Sequence, residues 1–363
     1  MAASRGVTIG TLAVVSALAL AACGSKPADT GGSTSASGAA GAEFTACMVL
    51  DTGGVDDKSF NQSSYAGMTA AAAANPNIKV SYVPSNTAND YTPNLQAEVN
   101  KKCSTVIAVG GLMADNVKAV AAANPKQQFA EVDSSSGAPN VYGLQFNTAQ
   151  GGFLGGYLAA GMSKTGKVAT WGGLNIPPVT IYMDGFWEGV QYYNAQKGKT
   201  VQVLGWDENN QKGGTFAGSF TDQNKGKQIS QTFIQQGADI IFPVAGGAGL
   251  GAGAAAQGSN GVANVIWVDT DGCVSAAQYC QYFISSVTKN LTGAVQTYLT
   301  AAAGGTFPTG NYVGDLKNDG TGLAPYNQFE SKVPAELTTE INQVKADIIS
   351  GKITIKSPSQ PKS

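Results

Sequence analysis

Apolar and polar positions follow two rhythms along most of this chain. Short runs rich in Val, Ile, Phe and Ala read as buried strands, and the Ala-rich stretches between them have helical character. The first series places strands at 44–50, 79–83, 105–109, 129–132 and 141–145, with helices at 65–74, 94–101, 114–123 and 149–162. A second series follows, with strands at 167–171, 200–205, 239–244 and 265–268 and helices at 180–193 and 226–236. Such repetition predicts an α/β chain of two doubly wound, Rossmann-like domains. Their functional groups are expected in the loops at the carboxyl ends of the parallel strands.

The N-terminus departs from this rhythm. Arg5 precedes an apolar run at 7–22 that is too short and too Ala-rich for a membrane span, so residues 1–22 read as a signal peptide. The run ends Leu20-Ala21-Ala22-Cys23, which resembles a bacterial lipoprotein box, so the mature chain would begin at a lipid-bearing Cys23. Residues 23–42 are mostly Gly, Ser, Ala and Thr, too poor in bulky apolar groups to offset the entropy of ordering them, and read as a tether. The expected location is the outer face of the cell membrane, held by the lipid alone. About 320 residues remain, ample for two domains.

Composition narrows the chemistry. A net charge of -2 with scattered Lys and Arg leaves no basic stripe for a phosphate backbone, which argues against nucleic acid. The sequence has 0 histidines, which removes Ser-His-Asp and Cys-His catalysis and the commonest metal ligand. There is no GxSxG elbow and no GxxxxGK[ST] phosphate loop. The expectation is a non-enzyme with no catalytic residue, cofactor or metal. Asp184 with Asp56 and Asp57 offers the best enzymatic case, a carboxylate set for glycosidic cleavage, but adjacent aspartates in one loop are more often solvated or capping. Beyond Cys23, cysteines stand at 47, 103, 273 and 280 with no CxxC; an even number in an exported chain favours disulfides, and three connectivities are open.

The strand ends carry the candidate site. The loop 51–62 follows the first strand: its glycines allow a tight turn, Asp56 or Ser59 can cap the next helix, and Phe60 and Asn61 sit where a ligand would lie, though Phe60 could equally be core. Gly110-Gly111, Asp133-Ser134, Gly172-Gly173, Asn175, the glycine run 246–251 and Asp269-Thr270-Asp271 repeat the theme. Carboxylates in such places can accept hydroxyl or amide protons while glycines admit a ligand to backbone N–H groups. The run 245–253 lacks the GxGxxG register of a dinucleotide site.

The loop 51–62 closely resembles the DxGGxxDxSFNQ signature of the basic membrane protein family, purine-nucleoside-receptor-like substrate-binding lipoproteins of ABC importers. FAEVD at 129–133, GGFLGGYLAA at 151–160, residues 172–185 with Asp184-Gly185-Phe186, ADIIFPVAGGAGLG at 238–251, residues 265–271 and residues 286–289 look like further family blocks in order. The resemblance implies a type I periplasmic-binding-protein fold whose two lobes, joined by a three-strand hinge, close on a ligand. The lobes would be 43–148 plus 272–308 and 149–271 plus 309–355, with a tail at 356–363. Carried over by motif, Phe60 and Phe242 would be the rings flanking a base, Asp133 would hold its edge with Asp51 and Asn61 assisting, and Gly249 would lie at the ligand. Asp269 with Lys289 would hold ribose hydroxyls, and Asp271 is the other candidate for that role. Gly111 stands where a family block often has Phe, and Tyr182, Trp171, Trp187 and Trp206 are rings without an assigned place. In that fold the first and third strands are neighbours, so Cys47 would pair with Cys103, both lying just before their strands, and Cys273 with Cys280. The implied function is monomeric capture of a nucleoside, purine favoured, for an ABC importer permease. A ligand sensor for a membrane kinase is the alternative, and a nucleoside-cleaving hydrolase a more distant one.

Overall fold

The two series fold into two six-stranded sheets in the computed structural model, which describes residues 43–361. The first sheet contains β1 (Phe44–Leu50), β2 (Ile78–Pro84), β3 (Thr105–Val109), β4 (Gln128–Val132), β5 (Val141–Phe146) and β11 (Asn311–Gly314). The second contains β6 (Lys167–Gly172), β7 (Gln202–Leu204), β8 (Ile240–Val244), β9 (Asn264–Asp269), β10 (Phe283–Lys289) and β12 (Thr321–Leu323). The spatial orders, β2-β1-β3-β4-β5-β11 and β7-β6-β8-β9-β10-β12, match position for position. Pairing is parallel except where β12 runs against β10. The signal peptide, Cys23 and the tether lie outside the described residues. Among the described residues no helix is long and apolar enough to cross a membrane.

Continuous apolar runs such as residues 46–50 of β1 are buried on both faces, as parallel sheets covered by helices require. The block GGFLGGYLAA lies in the helix Thr148–Met162, which is apolar all round and packs on the helix Pro177–Lys197. Glycines set that contact. A Cβ on Gly156 would lie 2.0 Å from the Phe186 carbonyl oxygen, and one on Gly189 2.1 Å from that of Phe153. This family block therefore builds the second lobe.

Three crossings join the lobes: at Asn147 between β5 and the helix Thr148–Met162, at Asn290 between β10 and the helix Leu291–Ala303, and between β11 and β12. Asn147 (φ -85, ψ 64) and Asn290 (φ -79, ψ 61) share an inverse γ-turn geometry. The crossings are bound together, the Asn147 N–H donating to the Gly314 carbonyl (2.7 Å) and the Asn290 N–H to that of Gly320 (2.9 Å). Sheet membership redraws the expected lobes: 272–289 belongs with the second sheet, 290–314 with the first, and the chain returns to the second sheet at β12. The difference arises at β10, which pairs with β9 and β12.

Disulfides join Cys47 to Cys103 and Cys273 to Cys280, the pairings expected from the sequence. Cys47 does not precede its strand, however; it lies inside β1, opposite Val106, and only Cys103 comes before β3.

Candidate functional site

The carboxyl ends of both sheets meet across a cleft with about 540 Å³ free of protein atoms, open solvent included. Its wall is built first by the loop after β1. The Asp51 carboxylate accepts from Asn61 Nδ2 (2.8 Å) and from the Gly53 N–H (3.2 Å). Gly110 (φ +119) lies so close that a Cβ there would sit 2.3 Å from Asp51 Oδ2. The helix Phe60–Ala74 is capped by Asp57, whose oxygens accept from the backbone N–H groups of Ser59 (3.0 Å), Asn61 (2.8 Å) and Gln62 (3.1 Å). That corrects the expectation of Asp56 or Ser59: Asp56 is exposed, and the Ser59 hydroxyl reaches across to Asp269. Held this way, the helix starts at Phe60 and brings Phe60 and Asn61 to the cleft.

Asp133 follows β4 and Asp269 ends β9, the matching strands of the two sheets, and both have left-handed backbones (φ 68 and 64). Asp133 accepts from Lys289 Nζ at 2.5 Å. Asp269 accepts from Tyr182 OH (2.6 Å) on one oxygen and from Ser59 Oγ (2.5 Å) on the other. The Lys289 ammonium lies 4.7 Å from the Phe60 ring centroid, 5.3 Å from that of Phe146 and 5.8 Å from that of Tyr182, within cation–π reach of all three. Four carboxyl groups, Asp51, Asp57, Asp133 and Asp269, thus line the cleft around a single lysine.

Burial dominates the titration of Asp51, Asp57 and Asp133. It pushes Asp51 up to about 6 against the Asn61 hydrogen bond, and Asp57 up to about 7 against its three backbone bonds. Asp133 is also raised by burial, with Lys289 pulling it back. Tyr182 is held well above its ordinary range by burial and by the Asp269 charge, so it is a hydrogen-bond donor. Asn61, 1 % exposed, has an Oδ1 with no partner among the described residues. The cleft is therefore rich in acceptors and poor in donors.

Of the sequence-derived candidates, Asp51, Phe60, Asn61, Asp133, Asp269 and Lys289 line this cleft together. Phe242, Gly249 and Asp271 do not. The Phe242 ring stands two residues before the end of β8, on the same face as Val244, and is buried in the core, stacked on Phe186 at 5.2 Å, while Val244, Ala245 and Gly246 at the strand's end reach the cleft. Gly249 packs beneath Trp267, whose ring lies 3.2 Å from where a Cβ would be. Asp271 caps the short helix Gly272–Ser275 through the Cys273 N–H (2.9 Å) and accepts from Asn327, which leaves Asp269 as the aspartate facing the cleft. Asp184 binds Trp206, Gln211 and Ser357, and it lines the cleft with neither Asp56 nor Asp57.

The second lobe adds Phe220, Ile176 and Pro178 to the wall, none marked by the sequence pattern, and places Tyr182 there as well. Phe220 sits in an irregular loop, where no periodicity marks a direction. Pro178 Cγ comes 3.1 Å from the Cβ position of Gly111, so the second lobe covers the place where the family block often carries Phe.

The family model described as ABC transporter substrate-binding protein PnrA-like matches residues 44–359. The chain is 31% identical, over 97% of its length and 97% of the relative's, to the CD4+ T-cell-stimulating antigen of Listeria monocytogenes. It is 29% identical to the ABC transporter nucleoside-binding protein BmpA of Lactococcus lactis, over 97% of this chain and 99% of that one. A solute-binding protein of an Aeropyrum pernix ABC transporter system superimposes with a TM-score of 0.79 at 24% identity, covering 87% of this chain and 94% of that chain, a likeness of fold. The family match, spanning both lobes and all three crossings, shows that this chain belongs to the PnrA-like family of ABC transporter substrate-binding proteins.

Proposed function

We propose that the protein captures a nucleoside, purine favoured, outside the cell and hands it to an ABC importer permease, with Cys23 as its lipid anchor. The acceptor-rich cleft carries this reading: four carboxyl groups and Asn61 line the ligand space beside the Phe60 ring, and the buried Asn61 Oδ1 has no partner among the described residues. A nucleoside supplies the complement, N–H donors on a flat base and hydroxyl donors on a ribose. Phe60 stacks on the base, with Phe220 as the second ring in place of Phe242; Asp133 holds the base edge with Asp51 and Asn61, and Asp269 with Lys289 holds the ribose. Phosphorylated ligands are disfavoured, because their charge would enter a cleft where carboxylates outnumber the one ammonium. The printed name of the Lactococcus lactis relative, nucleoside-binding, supports the ligand class. The test is mass spectrometry of small molecules released on denaturing freshly purified protein. The expected result is a nucleoside; a sugar, an amino acid or a nucleotide in its place would overturn the reading.

A further inference from the structure

The matching strand orders place Asp133 and Asp269 at equivalent positions, and each carboxylate is bonded by a residue from the opposite lobe. Lys289, from the second sheet, reaches Asp133 of the first; Ser59, from the first lobe, reaches Asp269 of the second. The two bonds differ in what a ligand can do to them. Lys289 and Asp133 both line the cleft, so a ligand can take over either partner. Ser59 is 0 % exposed and does not line the cleft, and its own N–H is already taken by Asp57. Its hydroxyl is thus directed only at the boundary. Beside it, Thr270 Oγ1 donates to the Lys58 carbonyl at 3.3 Å, a second and weaker bond across the same seam.

We infer that Ser59 is a positioning residue that ties Asp269 across the lobe boundary and sets how closed the protein is before any ligand arrives. When only the closed form binds, apparent affinity scales with the fraction of protein already closed. Loss of the Ser59–Asp269 bond lowers that fraction and removes no ligand-lining side chain, Asp269 keeping its bond from Tyr182. All ligands should weaken by a common factor, on the order of tenfold for one hydrogen bond to a charged group. A residue that touched the ligand would instead change discrimination among ligands.

The experiment compares Ser59→Ala with Tyr182→Phe and Ser59→Thr. Tyr182 donates to the other oxygen of the same carboxylate, but from within its own lobe, so its loss disturbs Asp269 without opening the seam. Ser59→Thr keeps the hydroxyl. Small-angle X-ray scattering of the unliganded proteins should show a larger radius of gyration for Ser59→Ala, with wild-type dimensions for the other two. Calorimetry with guanosine and uridine should show Ser59→Ala weakened about equally for both. Unchanged dimensions of unliganded Ser59→Ala, or equal expansion in Tyr182→Phe, would overturn the inference. The scattering comparison uses no ligand, so it stands even if neither nucleoside binds, which would count against the proposed ligand instead.

Discussion

The two lobes repeat one strand order and put different chemistry at the strand ends. The first brings three of the four carboxyl groups, Asp51, Asp57 and Asp133, together with Phe60 and Asn61. The second brings Asp269, the Tyr182 hydroxyl and the cleft's one ammonium, Lys289, together with an apolar cover that includes Ile176, Pro178, Val179, Phe220 and Val244. At matched positions the contrast is sharpest: β10 ends in Lys289 where β5 ends in Phe146, each followed by an asparagine that leads into a helix. The fold fixes where ligand-facing groups stand, and the residues decide which lobe reads the ligand and which encloses it.

The largest effect should come from breaking the pair that spans this division. Asp133→Ala leaves Lys289 buried without its carboxylate, which costs about 3–5 kcal/mol when a buried pair loses one partner. Denaturant unfolding of the unliganded variant should show that loss, and calorimetry should show altered discrimination among bases. Retained stability would mean that Lys289 finds another partner and that the first lobe does not own the pair.

The acids of the first lobe make a pH prediction of nearly that size. Asp51 is raised from 3.8 to about 6 in the folded protein, so between those values the folded state holds a proton that the unfolded state has released. Its contribution is therefore most favourable at low pH, falls as pH rises through about 4 to 6, and is flat above. The full shift corresponds to about 3 kcal/mol. Melting of the unliganded protein between pH 4 and 7 should show a smaller alkaline loss in Asp51→Asn than in wild type; identical profiles would remove Asp51 as the cause.

A change confined to the second lobe should separate stability from recognition. Gly156→Ala forces a Cβ to within 2.0 Å of the Phe186 carbonyl oxygen, an overpacking that costs about 1–3 kcal/mol. Unfolding measurements should detect it, while calorimetry on the folded fraction should show unchanged nucleoside affinity. The smallest effect concerns Phe220 and Phe242, both in that lobe. Phe220→Leu should weaken nucleosides by no more than about tenfold, the lower part of the stacking range. Phe242→Leu should lower stability alone, and the reverse assignment would restore Phe242 to the cleft.

Much of this division was legible in the sequence. The alternating runs gave both sheets through β9, and the loop after β1 carried Asp51, Phe60 and Asn61 to the cleft. β10 was harder to see because Ser285 and Ser286 interrupt its apolar run; their hydroxyls are satisfied by the Ala324 carbonyl and the Gly272 N–H, partners far from them in sequence or outside the strand. β11 and β12, of 4 and 3 residues, are too short to show a period, so the second and third crossings were misplaced. Phe242 was assigned by motif position, but it stands two residues before the end of β8 and packs on Phe186 there, whereas Val244 on the same face reaches the cleft. Asp57 was hidden for another reason: with Asp56 beside it, only the helix geometry shows which carboxylate caps.

An acceptor-lined cleft should select a neutral, donor-rich nucleoside over a charged one. Calorimetric titration of ligand-free protein with guanosine and, separately, with guanosine 5′-monophosphate tests it most directly. The expected result is tight binding of guanosine and a loss of at least about a hundredfold for the monophosphate, since adding charge beside like charges costs several kcal/mol. Equal affinity for the two, or preference for the monophosphate, would contradict it.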